Sequence, residues 1–231
     1  MRLCLLVVAG LTCGASGSLD AQAPPVPLPD MQAIAADLGV ECAYCHARGP
    51  AAAPALTATG KPRLTVAREM IAMTAELDAR VQATTGKAAN QAVRVRCVTC
   101  HRGVPIPRLL QDIVWQTTLE QGPEAAATQY RELREKYHGR QSYDFGEDTL
   151  LRVADRLAQS RPPAAIALAK LNIEFFPRSA RSYVTLAIAE SRTDMVAAIA
   201  TLKKAIELDP NDALARGRLF QWEEDLRRRN R

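Results

Sequence analysis

Two short motifs of cysteine and histidine hold the residues of this chain that are best suited to chemistry. The first is Cys42-Ala43-Tyr44-Cys45-His46 and the second is Cys97-Val98-Thr99-Cys100-His101. Both follow the pattern C-x-x-C-H, which is typical of covalent attachment of a c-type haem. The two thiols can add to the two vinyl groups of a porphyrin, and the adjacent histidine can coordinate its iron. The repeated motif therefore predicts two covalently attached haems, bound by Cys42, Cys45, Cys97 and Cys100 and coordinated by His46 and His101.

A haem iron with one histidine needs a second axial ligand to become six-coordinate, and the chain offers few. It has three histidines, so His138 is the one outside the motifs, and we expect it in a polar turn. Methionine opposite histidine is the cytochrome c pairing that raises the reduction potential. Met31 starts the segment leading to the first motif and is predicted to serve the first haem. Met70 and Met73 both precede the second motif, and their spacing does not decide between them.

Caps and periodicity predict the helices that position these residues. Asp30 as an N-cap and Gly39 just after the last turn indicate a short helix over 31–38. Residues 47–63 are rich in glycine and proline and are expected to form a loop. A single apolar stripe with spacings of three and four predicts a longer helix from about 65 to 84: Val66, Met70, Met73, Leu77 and Val81.

The sequence pattern changes after residue 108, where paired amphipathic segments with short breaks begin. Pro177 and Pro210 end two similar segments and lie 33 residues apart, close to the period of about 34 residues of tetratricopeptide repeats. Asn172 departs from the alanine that such repeats usually carry at its position. We therefore predict degenerate tetratricopeptide-like repeats over 109–231, with helices near 109–121, 124–137, 147–160, 163–176, 179–191, 195–208 and 212–229.

The beginning of the chain has the pattern of a secretory signal peptide, predicted over 1–21. Arg2 supplies the positive charge, Leu3 to Leu11 form a short apolar core, and small residues follow. A proline-rich linker is predicted over 22–30, before a cytochrome domain over 31–108. Cleavage would remove Cys4 and Cys13 and leave the four motif cysteines. We expect a periplasmic protein, and lipoprotein anchoring at Cys13 is less favoured because Gly-Leu-Thr before it matches that signal poorly.

Composition limits the functions that the rest of the chain could have. The formal net charge of +5 is dispersed until the three arginines at 227–229, and no basic face with base-reading or stacking residues is visible. This argues against nucleic-acid binding. No nucleophile triad or catalytic carboxylate pair is apparent either. The predicted helices indicate an all-α protein, with a small dihaem cytochrome c domain followed by helical repeats. The lack of a catalytic arrangement predicts that it is not an enzyme.

The order of the motifs resembles the photosynthetic reaction-centre cytochrome c subunit over roughly residues 30–107. The matching segments are Met31 with Leu38-Gly39-Val40, the first haem motif, Ala67 to Thr74, and the second motif with Arg102-Gly103. That family repeats a helix–turn–haem unit in which a helix before the motif offers methionine to the iron. The resemblance implies Met31 for the first haem and Met70 for the second, and it leaves Met73 as packing. The family carries four haems, whereas this chain has two motifs and a helical tail foreign to that subunit.

The leading hypothesis is a periplasmic dihaem c-type cytochrome that carries single electrons between a protein donor and a protein acceptor. The helical repeats would dock it to partners, with a membrane-bound redox complex as one candidate. The alternative is a dihaem peroxidase or reductase, or a haem sensor, with one open iron site. A third hypothesis is a scaffold whose cysteines bind zinc, but zinc gives no reason for both histidines or for the helices that carry methionine.

Overall fold

The computed structural model describes residues 30–46, 55–87, 91, 93–229 and 231. The expected signal peptide and nearly all of the expected linker lie outside the described residues. Within the described ranges the chain forms ten α-helices and one short 3₁₀ turn, without a β-strand. The prediction of an all-α fold is confirmed.

The part that contains the two motifs has three α-helices and the 3₁₀ turn. They are α1 (Met31–Leu38), the turn Cys42–Tyr44, α2 (Arg63–Thr85) and α3 (Cys97–His101). The Asp30 carboxylate caps α1 by accepting from Gln32 N at 2.9 Å, and Gly39 ends it with a φ of +64°. The helix expected over 65–84 begins two residues earlier, at Arg63, directly after Pro62. Both helices are thus confirmed within two residues.

Seven helices follow, and all seven were predicted within three residues at each end. Their bounds are α4 (Leu110–Gln121), α5 (Pro123–Tyr137), α6 (Glu147–Leu157), α7 (Pro162–Phe175), α8 (Ala180–Glu190), α9 (Met195–Leu208) and α10 (Ala213–Arg229). Six of them pack as the pairs α4–α5, α6–α7 and α8–α9, and α10 packs against α9. The first helices of successive pairs also touch, as do α5 and α7. This is a stack of helical hairpins, whereas the assignment to tetratricopeptide repeats stays a prediction.

The packed core lies almost entirely in the hairpin stack. Tyr130, Leu150, Leu157 and Leu168 are among its fully buried side chains. Among the described residues before Val104, only Asp78 is buried. The described residues of the motif region therefore do not close on a core of their own side chains, and many of their apolar side chains line two cavities instead.

The two regions meet immediately after the second motif. Ser142, in the loop between α5 and α6, donates from Oγ to the carbonyl of Arg102 at 2.7 Å. Val104, three residues after His101, is 3% exposed. The end of the second motif is thus fixed to the hairpin stack.

Candidate haem sites

The second motif forms α3, and its local hydrogen bonds orient the histidine. Thr99 Oγ1 accepts from Arg96 N at 3.0 Å and caps the start of the helix. Arg102 and Gly103 then adopt left-handed backbone, with φ of +48° and +81°, and turn the chain back. This turn brings the Val104 carbonyl to 3.0 Å from His101 Nδ1. Because a carbonyl can only accept, Nδ1 is the protonated nitrogen and Nε2 is left to bind a metal.

The first motif is a single 3₁₀ turn held against the start of α2. Cys45 N and His46 N both donate to the Cys42 carbonyl, at 3.2 and 3.0 Å. The Arg63 guanidinium lies 4.1 Å from the centre of the Tyr44 ring and donates from Nη1 to the Tyr44 carbonyl at 3.3 Å. The charge of Arg63 and the hydrogen bond therefore fix the turn to the first residue of α2.

A cavity of about 260 Å³ lies beside the first motif, between α1 and α2. Its wall includes both thiols and the histidine of the motif, and Met31 contributes to the wall from α1. The remaining lining is mainly aliphatic: Ile34, Ala35, Leu38, Val40, Leu64, Ala67 and Ile71, with Glu41 and Arg68. The four residues that the sequence predicted for one haem thus surround one apolar space.

A second cavity, of about 310 Å³, lies between α2 and the second motif. Cys97, Cys100 and His101 line it from one side, and Met70 and Met73 line it from α2. Met70 is half-buried, whereas Met73 is 42% exposed. The structure brings both methionines to the cavity, so the choice of Met70 stays a prediction.

The two cavities are neighbours. Five residues line both of them: Ile34, Leu38, Cys45, Ala67 and Ile71. The second thiol of the first motif is thus part of the wall between the sites. Groups bound in the two cavities would be separated by single side chains rather than by a layer of packed protein.

Asp78 holds α2 to the segment before the second motif, and the sequence analysis did not identify it. Its carboxylate accepts from Val95 N at 2.8 Å and from Gln82 Nε2 at 2.8 Å, and it pairs with Arg94 Nη2 at 2.8 Å. The backbone N–H of Val95, followed by the Arg94 side chain, lowers the Asp78 pKa below its ordinary value. The sequence does show a carboxylate beside the apolar stripe of α2, which could have indicated such a contact. Its partner Arg94, however, lies 16 residues further along the chain.

Asp37 plays the corresponding role for α1, and it also was missed. Its carbonyl accepts from Gly103 N at 2.9 Å, and its carboxylate accepts from Val98 N at 3.3 Å. The same carboxylate lies 3.6 Å from Arg96 Nη2. The helix that carries Met31 is therefore fixed to the second motif as well as leading into the first.

The residues fit a flat apolar cofactor attached through sulfur. All four thiols are free, each pair lies on the wall of an apolar cavity, and a histidine follows each pair. His138, in contrast, lies far along the chain near Phe145, with ring centres 6.0 Å apart. This fold and these sites define the class of c-type cytochromes, whose haem is bound covalently.

Comparison with known proteins gives the family. The model of the photosynthetic reaction centre cytochrome C subunit family matches residues 30–146, which is just over half of the chain, and the chain belongs to this family. The match extends beyond the predicted domain boundary at 108 and includes α4 and α5. No curated protein sequence matches the chain closely enough to count as a relative. Family membership implies covalently bound haem, an electron-transfer role and redox partner proteins.

One property relevant to membranes can be read from the helices. Among the residues that the structure describes, none of the helices combines the length and the apolar character needed to cross a bilayer.

Proposed function

We propose that this protein is an exported electron carrier with two covalently attached haems. It would take single electrons from one protein and give them to another. The observation that carries the proposal is that the same combination of residue types recurs at two neighbouring cavities. The first motif and Met31 line one cavity, and the second motif and Met70 line the other, with Cys45 in the wall of both.

Each residue type has a separate role in this proposal. Cys42 and Cys45 would hold one haem, and Cys97 and Cys100 would hold the other. His46 and His101 would bind the two irons, and the bond from His101 Nδ1 to the Val104 carbonyl fixes that ring with Nε2 free. Met31 and Met70 would supply the second protein ligand of each iron. Bound haem supplies a one-electron iron couple, and thioether ligation favours a high reduction potential.

Apolar side chains supply most of the wall of each cavity. Aliphatic residues of α1 and α2 line both cavities, which lowers the local dielectric and favours the less charged, reduced iron. Coordination of each iron by histidine and methionine, as proposed, would leave no open position for a substrate. This is the physical reason for preferring electron transfer to peroxidase or reductase chemistry.

Export and partner docking are part of the proposal. The apolar N-terminal segment supports export, and c-type haem is attached outside the cytoplasm, so we propose a periplasmic location. The hairpin stack over α4–α10 would dock protein partners, since stacked hairpins present extended surfaces. A membrane-bound redox complex is one candidate partner.

Two measurements on protein exported with haem-maturation machinery test the proposal. Intact mass should show two covalent haems, and the reduced visible bands should be sharp and unchanged by carbon monoxide. Binding of carbon monoxide to the wild-type protein would instead indicate an open iron and favour the enzyme or sensor alternative. Absence of haem with zinc present would refute the proposal.

Matched methionine variants test the axial ligands. Met31→Ala and Met70→Ala should each open one iron to carbon monoxide and abolish the long-wavelength absorption band that arises from that iron's methionine ligand. Met73→Ala is the control, since it removes a thioether three residues away on the same cavity wall. If Met73→Ala opens the second iron and Met70→Ala does not, the assignment of Met70 is wrong.

A further inference from the structure

The charged side chains around the two cavities are not equivalent. The first cavity has one carboxylate, Glu41, and one guanidinium, Arg68, in its wall. The second has two guanidinium groups, Arg63 and Arg96, and no carboxylate among its described lining residues. Among the described lining residues, the second cavity therefore carries more guanidinium groups than the first.

Of the two cations at the second cavity, Arg63 is the one without a carboxylate partner among the described residues. Arg96 lies 3.6 Å from Asp37, which offsets part of its charge. Arg63 is held instead by the neutral ring and carbonyl of Tyr44. Arg63 is also only partly exposed, so water screens its charge incompletely. A fixed positive charge thus lines the second cavity.

The histidines of the two motifs also differ in their exposure to water. His46 is exposed, whereas His101 is half-buried. Water stabilises the more highly charged, oxidised iron, so an exposed ligand favours a lower potential. The hydrogen bond from His101 to the Val104 carbonyl acts in the opposite sense, because it makes the imidazole more basic. A neutral carbonyl is a weaker influence than a full charge at a site of low dielectric.

From these observations we propose that Arg63 makes the second haem the site of higher reduction potential. Oxidation of an iron adds a positive charge, which a nearby guanidinium opposes. An electron that enters at the first motif therefore moves to the second, across the wall that contains Cys45. The second motif is then the site from which the electron leaves. This inference rests on the proposed function, since it requires two haems.

Arg63 is a positioning and tuning residue in this inference, and a potentiometric titration of the haem spectrum tests it. Wild-type protein should show two one-electron waves. Arg63→Gln should move the upper wave to lower potential by more than it moves the lower wave, because Arg63 lines the second cavity but also contacts Tyr44 of the first motif. We expect a loss on the order of tenfold in the equilibrium constant for that site, which is about 59 mV for one electron.

Arg68→Gln is the control at the first cavity, because it removes the same charge from the wall there. Arg68 is exposed and its charge is screened by water, so the lower wave should move by less than the upper wave moves in Arg63→Gln. Arg63→Lys keeps the charge but loses the planar guanidinium over Tyr44, and it should keep the upper wave close to its wild-type position.

Three results would overturn the inference. These are a shift of the lower wave that equals or exceeds the shift of the upper wave in Arg63→Gln, the absence of any shift in that variant, and an equal shift in Arg63→Lys and Arg63→Gln. The last result would show that the contact with Tyr44, rather than the charge, sets the potential. Intact mass measured before the titration gives the number of haems. A chain with one haem or none refutes the proposed function, whereas two haems with the wrong pattern of shifts refute this inference alone.

Discussion

Replacement of Gly39 by alanine tests the contact between α1 and the end of the second motif. Gly39 has a φ of +64°, and a Cβ built there would lie 2.2 Å from the Gly103 carbonyl oxygen. Ordinary contact begins near 3.4 Å, so the two segments would have to separate by about 1 Å. That movement would break the bond of 2.9 Å from Gly103 N to the Asp37 carbonyl. The junction on which both sites depend would open.

Three contributions lower the free energy of unfolding in Gly39→Ala. Left-handed backbone costs a non-glycine residue roughly 1–2 kcal/mol. The steric conflict adds about 1–3 kcal/mol, and the lost hydrogen bond adds roughly 0.5–1.5 kcal/mol. Gly86 ends α2 in the same way, with a φ of +58°, but a Cβ added there would meet nothing within 4 Å among the described residues. Gly86→Ala therefore carries the backbone cost alone.

We expect Gly39→Ala to lower the free energy of unfolding by about 2–4 kcal/mol more than Gly86→Ala does. Urea unfolding of the full haem-loaded protein, followed by haem absorbance, measures the difference. Haem absorbance reports on the motif region, whereas far-ultraviolet circular dichroism reports mainly on the hairpin stack. Equal destabilisation by the two substitutions would show that Gly39 does not contact Gly103, and the account of the junction would fail.

Two further substitutions test the anchor of α2 and the core of the hairpin stack. Asp78→Asn should loosen the segment before the second motif. Because the Asp78 pKa is lowered in the folded state, its contribution to stability is present above the ordinary carboxyl pKa of about 3.9 and is lost as the pH falls through the lower folded value. The variant should therefore be less stable than wild type at neutral pH and should lose less stability on acidification; parallel stability curves against pH would contradict this. Leu168 is fully buried, so Leu168→Ala should destabilise the stack by about 2–5 kcal/mol, measured by thermal unfolding followed by circular dichroism. Leu214 is 84% exposed, so Leu214→Ala should change the stability little. Equal losses of stability in the two variants would place Leu168 outside the core.

The sequence determined the helices and predicted the chemistry. C-x-x-C-H depends on covalent spacing within five residues, so motifs typical of haem attachment are readable without a structure. Helix bounds depend on caps and on apolar periodicity, which are also local. Asp30, Gly39 and the stripe from Val66 to Val81 therefore predicted α1 and α2 within two residues.

Only the tertiary structure decided how the parts meet. The pairing of Asp78 with Arg94 and the contact of Gly39 with Gly103 join residues that are distant along the chain. The folded chain also made Cys45 part of both cavity walls and put Arg63, next to the first motif, on the wall of the second cavity. No local pattern encodes these relations, because each depends on the path of the intervening chain. Sequence thus identifies which residues can hold haem, and the folded chain sets the charge and the separation around each site.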